Sequence, residues 1–204
     1  MLLIHGLWLR PSVWTPWLAE LDEAGYDAVV LSWGSGDLSS GNGRPAMVKP
    51  GFNALLPAAR KHVEVFPSRP IVIGHGVGGA VAERLLDDGG AAAAISLAPV
   101  PGGYPAIPAA ARLLRREAPL AMRHRAPARS RQPQRGPLLL VAAGKDELIR
   151  EMSIALLHRD YRRRQRDAVT DYKVFPDMDH TLGLGTSGVD VLFYCLDWLT
   201  AQNM

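Results

Sequence analysis

The sequence predicts an α/β domain with a single, mostly parallel sheet of about six strands and helices on both faces. Two observations carry this: short, β-rich apolar runs alternate with helical patterns, and there are six such runs along the chain. Strands are expected at residues 2–5, 27–31, 70–74, 91–97, 138–143 and 171–175. The chain has 204 residues, enough for one domain with a substantial core, and its 48% hydrophobic content suits a globular protein.

Helices are expected between the strands. Thr15 and Pro16 offer a cap and first turn for a helix that buries Trp17, Leu18 and Leu21 and stops at Gly25. Others are expected at 53–65, 77–87 and 147–158. In the last helix Val189, Leu192, Phe193, Leu196 and Leu199 recur at helical spacing and predict a core-facing stripe, with Cys195 and Trp198 as packing residues. Residues 32–51, rich in Gly and Ser, read as a long loop. Residues 99–136, rich in Pro, Ala and Arg, read as a short basic lid-like insertion with a helix near 107–117, within one domain spanning 1–204.

No apolar run approaches the roughly 20 residues needed to span a bilayer. Met1 leads directly into Leu2, with no basic segment or cleavage site, so a cytoplasmic protein with no membrane association is expected. The single cysteine, Cys195, excludes an internal disulfide framework and a Cys-based metal site, and neither metal nor cofactor is expected. The net charge is +3, but eight arginines fall between residues 112 and 135 against one acid, Glu117. Arg159, Arg162, Arg163, Arg164 and Arg166 form a second group, expected to follow the 147–158 helix. Such groups are ordinarily solvated surface; an acidic partner, such as a carrier protein, is the functional alternative. No nucleic-acid-binding motif accompanies them, so nucleic acid is not expected as a partner.

The most informative segment is Ile73-Gly74-His75-Gly76-Val77-Gly78-Gly79, a buried strand running through a glycine turn into a helix. Gly74, Gly76 and Gly79 match the dinucleotide pattern G-x-G-x-x-G. That pattern also wants an acid at the end of the next strand, where the sequence reads Ile95-Ser96-Leu97-Ala98-Pro99. The same turn matches the nucleophile elbow G-x-S-x-G with Gly76 in the central seat. The elbow's partners occur in the expected order. Asp146 follows the fifth strand, His180 follows the sixth, and His5-Gly6-Leu7-Trp8 follows the first, where a second anion-binding amide is expected.

On these residues the chain resembles the α/β-hydrolase superfamily, particularly compact, cap-reduced bacterial members with an HGLW-type first loop and a GHSxGG elbow. The resemblance implies a minimal α/β-hydrolase fold, with Asp146 orienting His180 and the N–H groups of Val77 and Leu7 forming an oxyanion hole. It also implies His75 packed behind the nucleophile seat. His5, Trp8 and Tyr104 are candidate pocket residues, and Asp179 is an alternative orienting acid. The serine is Gly76, so no side chain there can attack a carbonyl; losing a triad member costs several powers of ten in rate. The expectation is non-covalent acid–base chemistry on a carbonyl-containing small molecule: hydrolysis, elimination, isomerisation or cyclisation. The alternatives are a pseudohydrolase that binds an acidic protein or ligand, and a conventional esterase whose nucleophile was mutated.

Overall fold

The computed structural model describes residues 1–7, 9–33, 52–100, 135–185 and 189–204. Six strands form one sheet: β1 (Leu2–Ile4), β2 (Val29–Leu31), β3 (Ile71–His75), β4 (Ala93–Leu97), β5 (Leu138–Ala143) and β6 (Thr170–Phe175). Their order is β2-β1-β3-β4-β5-β6 and every neighbouring pair is parallel. Each expected strand is present, trimmed by one or two residues where the expected range included flanking residues such as Asp27 and Pro70.

A parallel sheet needs cover on both sides, and alternate residues of each strand supply two separate cores. Leu2, Ile4, Val72, Ala94, Leu138, Leu140 and Ala142 face one core. Helices α2 (Phe52–Glu64), α3 (Val77–Asp87) and α4 (Glu151–Arg164) close it, through residues such as Leu55, Leu85, Ile154 and Leu157. Leu3, Ile73, Ala93, Ile95, Leu97, Leu139, Val141 and Ala143 face the other core. Helices α1 (Thr15–Glu23) and α5 (Val189–Ala201) cover it with Trp17, Leu21, Leu192, Cys195 and Trp198.

Four helical expectations need correction. Thr15 makes no cap bond; a 3₁₀ turn at Pro11–Trp14 runs straight into α1, and Thr15 is its first residue. Gly25, at φ +82°, does end the helix. α4 begins at Glu151 rather than 147, because the Asp146 carboxylate takes the N–H groups of Leu148 and Ile149 and holds that stretch as a turn. It continues beyond 158, because Tyr161 extends the buried face begun by Ile154 and Leu157. Arg159, Arg162, Arg163 and Arg164 therefore lie within the helix. In α5 the buried stripe is Val191, Leu192, Cys195, Trp198 and Leu199, while Phe193 is exposed. Trp198 sets this face, because its indole N–H donates to Asp171 Oδ2 at 2.8 Å on β6. The helix expected near 107–117 lies outside the described residues.

A buried polar network ties α3 to α4 and to the start of β6. Ser96 Oγ donates to Glu83 Oε1 at 2.8 Å, and the Tyr161 hydroxyl lies 3.0 Å from Asp87 Oδ2 and 3.3 Å from Glu83 Oε2. Burial and the adjacent carboxylates push the Tyr161 pKa well above the ordinary phenol value, so it remains a donor. Arg135 donates to Gln165 and Thr170 side chains and to the carbonyl oxygens of Gly136 and Val169, and lies 3.8 Å from Asp87. Counted in the sequence among surface arginines, Arg135 is in fact only 6% exposed. Arg135→Ala would strand these acceptors and cost about 3 kcal/mol or more, the usual loss on breaking a buried ion pair; denaturant unfolding measures it.

Candidate active site

The strand order reverses between β1 and β3: the chain leaves β1 for the outer strand β2, then crosses back to β3. The loops after β1 and β3 diverge there, and in open α/β sheets the crevice at such a point is where ligands bind. These loops carry Gly6-Leu7 and Gly76.

The elbow is built by close backbone approach. A Cβ on Gly74 would stand 2.1 Å from Gly78 O, and one on Gly78 would stand 2.3 Å from Ile4 O. Glycine at both positions lets the first turn of α3 press on β3 and β1. Gly76 itself has φ +55° and ψ −114°, in the left-handed region that disfavours side chains. Space is not the obstacle at position 76. A Cβ there would make ordinary contacts, 3.7 Å from Gly6 Cα and 3.8 Å from His180 Nε2. Gly79 is hemmed in by Ser96 Oγ and Gly74 by Gly78, so two of the three glycines of the dinucleotide pattern are used up in internal packing.

Asp146 and His180 meet because β5 and β6 are neighbours in register, Ala143 opposite Phe175. Beyond the strands the two loops are laced together: Gly144 N–H donates to Phe175 O at 2.9 Å and Lys145 N–H to Met178 O at 2.9 Å. His180 Nδ1–H then donates to Asp146 Oδ2 at 2.7 Å. The other carboxylate oxygen of Asp146 accepts the Leu148 and Ile149 N–H groups, each at 2.7 Å, so this buried carboxylate is fully engaged. Asp179, the alternative acid, is occupied otherwise: its Oδ1 accepts from the N–H and hydroxyl of Thr181.

His75 anchors the His180 loop from behind. Its Nε2–H donates to the His180 carbonyl oxygen at 2.7 Å, and the two rings meet edge to face at 4.8 Å. That donation fixes the tautomer and leaves Nδ1 without a hydrogen-bond partner. Burial, reinforced by the neighbouring His180, lowers the His75 pKa to about 3, so the ring is neutral. His5 is also buried: it donates to Gly6 O at 2.9 Å and stacks on Trp33, whose indole N–H bonds the His5 carbonyl. It supports the first loop and is not among the residues lining the cleft.

A cleft of about 460 Å³ opens beside the dyad, lined among the described residues by Leu7, Leu9, Leu148, His75, His180 and Thr181, with Lys145, Glu147 and Asp179. Leu7 reaches it, whereas Val77 is buried at the head of α3. Trp8 and Tyr104 lie outside the described residues. Sequence reasoning missed Lys145, Glu147 and Leu148 as cleft residues; their place immediately around Asp146 was the available signal. Among the described residues no group of three or more His, Cys, Asp or Glu is placed to hold a metal ion, and no helix is long and apolar enough to cross a membrane.

The arrangement offers one imidazole whose oriented Nε2 makes no hydrogen bond among the described residues, beside Gly76 at the N-terminus of a buried helix. Such a group can accept a proton from water or from carbon next to a carbonyl.

The profile of the alpha/beta hydrolase family matches residues 1–135. No curated protein sequence matches the chain. Among solved structures, a monoacylglycerol lipase of Paleococcus ferrophilus superposes with a TM-score of 0.70 at 16% identity, covering 98% of this chain and 93% of that one. An esterase of Pyrococcus furiosus gives 0.66 at 16% identity over 98% and 81% of the two chains. A thioesterase domain from the curacin biosynthetic pathway gives 0.61 at 16% identity over 96% and 89%. At these identities the likeness concerns the fold.

His75 titrates near 3 when folded and near 6.5 when free, so the unfolded chain binds its proton first as pH falls. Its contribution to stability is complete above pH 6.5 and declines toward pH 3, by up to about 1.4 kcal/mol per pH unit. Replacing it in a His75→Gln variant, which keeps a donor for His180 O, should flatten that part of the pH–stability curve measured by urea unfolding.

Proposed function

Because this chain belongs to the alpha/beta hydrolase family, we propose that it is an enzyme that acts on a carbonyl-containing small molecule by non-covalent acid–base chemistry. The single observation carrying this is the position of His180: Nδ1 is bonded to Asp146 at 2.7 Å, and Nε2 stands 3.8 Å from where a residue-76 side chain would begin. In hydrolysis, Nε2 takes a proton from a water seated over Gly76 as the water oxygen bonds the carbonyl carbon. The charge on the former carbonyl oxygen is met by the N–H groups of Val77 and Leu7. The tetrahedral adduct then collapses, and the imidazolium returns its proton to the leaving group. Elimination, isomerisation or cyclisation would share the first proton transfer, taken from carbon or from a substrate hydroxyl instead.

Base and anion site each contribute roughly 10²–10⁴ in rate in sites of this kind, so turnover without a covalent intermediate is physically reasonable. The structural neighbours are named as esterases, a lipase and a thioesterase. Activated esters and acyl thioesters are therefore the first substrates to try.

The wild-type protein should turn over such a substrate without being labelled by a fluorophosphonate probe. His180→Ala should lower that rate by about 10²–10⁴, while Gly76→Ser should create a labelled serine. Labelling of the wild type would reveal a nucleophile elsewhere and overturn the proposal. An unchanged rate in the His180→Ala protein would also overturn it, because His180 would then not be the base; absence of turnover in the wild type would favour the pseudohydrolase reading.

A further inference from the structure

We propose that a basic cleft at the far end of α4 binds a multiply charged phosphoryl group, either as free polyphosphate or as part of a nucleotide-like molecule. Arg159, Arg162 and Arg163 are spaced i, i+3 and i+4, which puts them along one side of the helix, and Arg166 lies in the turn just beyond its end. With His158, Gln165 and Ala168 they line a concavity of about 490 Å³. That volume falls in the range of small-molecule sites.

These four arginines are the ones left uncommitted. Arg164 is paired with Asp160 at 2.9 Å, and Arg135 is buried in the α3–α4 network. Among the described residues Arg159, Arg162, Arg163 and Arg166 make no ion pair, and the nearby exposed Asp167 makes none either. Arg159 and Arg163 repel each other at i, i+4 on the helix. The negative end of the helix dipole offsets part of that repulsion, and a bound anion would offset the rest. Guanidinium forks present paired N–H donors that match phosphoryl oxygens, and several converging on one hollow suit a group carrying more than one charge.

The floor of the cleft is fixed rather than loose. Gln165 is buried, accepts from Arg135 and lies 3.4 Å from Asp87 Oδ1, and His158 bonds Thr170 O at 3.2 Å while stacking on Tyr172. α4 starts beside Asp146 and has 14 residues, so its end lies about 20 Å away, at the opposite edge of the sheet. The ligand is thus not the substrate of the His180 site, and the proposal stands independently of that reading. The arginine-rich stretch of the sequence also ends here, since Arg135 touches Gln165 directly.

Titration calorimetry of the full chain with sodium triphosphate tests this. Saturable binding is expected, tighter than that of sulfate at equal ionic strength and weakened in about 0.5 M NaCl. Arg162→Gln/Arg163→Gln should weaken it about tenfold or more, and Arg159→Gln/Arg166→Gln likewise, with unchanged far-UV circular dichroism. Adenosine triphosphate binding as tightly as triphosphate would identify the phosphoryl chain alone as the determinant; tighter binding would identify a nucleotide-like ligand. Three results would overturn the proposal: equal affinity in wild type and both variants, triphosphate no better than sulfate, or binding of poly-glutamate but not triphosphate.

Discussion

The close approach of the first turn of α3 to the ends of β3 and β1 is the constraint on which the rest depends. The carbonyl oxygen of Ile4 stands where a Cβ on residue 78 would be, and Gly78 itself stands where a Cβ on residue 74 would be. Only because both side chains are absent can Gly6 come within van der Waals range of position 76. The helix N-terminus, with its unpaired N–H groups, is then set at the mouth of the sheet's switch point. A bulkier residue in either place would separate the first loop from the elbow.

The buried charges are distributed along α3 in a way that follows from that packing. At its N-terminal end the buried carboxylate of Asp146 spends both oxygens on fixed donors, and His75 is kept neutral by burial. Toward the C-terminal end Glu83 and Asp87 sit where the helix dipole opposes them. They are tolerated because Ser96, Tyr161, Gln165 and Arg135 converge on them, while Asp88 is held by Arg60 at 2.5 Å and Arg84 at 3.1 Å. One helix therefore separates the His180–Asp146 pair at one end from a buried structural network at the other.

The inner strands were legible because burial on both faces leaves an unbroken apolar run, whereas the edge strand β6 carries Asp171 and Lys173; Asp146 and His180 were legible because each lies in the loop that follows a strand. Their meeting was not a matter of spacing, since 34 residues separate them; it followed from adjacency of β5 and β6 in a parallel sheet. The start of α4 was illegible for a physical reason. Residues 147–150 have helix-compatible identities, but the carboxylate of Asp146 competes for the N–H groups that a helix would use. The α5 face was misread because Leu, Val and Phe recur all round that helix, and the tryptophan–aspartate bond that selects one face is long-range. Nor could sequence show that Arg135 differs from the arginines before it, because its partners come from α3, α4 and β6.

The missing side chain at the elbow sits more easily with this structure than its position suggests. At φ +55° any residue but glycine carries strain of about 1 kcal/mol or more, so Gly76 relaxes the turn. None of the contacts that place the dyad involves a side chain at 76. His180 is held by Asp146 from one side and by His75 through its own carbonyl from the other, and the loops beneath are held by the lacing of β5 to β6. A serine there would receive its geometry from this framework while contributing little to it. Glycine at 76 therefore leaves the imidazole in position, leaves the adjoining backbone in position, and leaves a space of side-chain size between them. That is the physical basis of the acid–base chemistry proposed for this site.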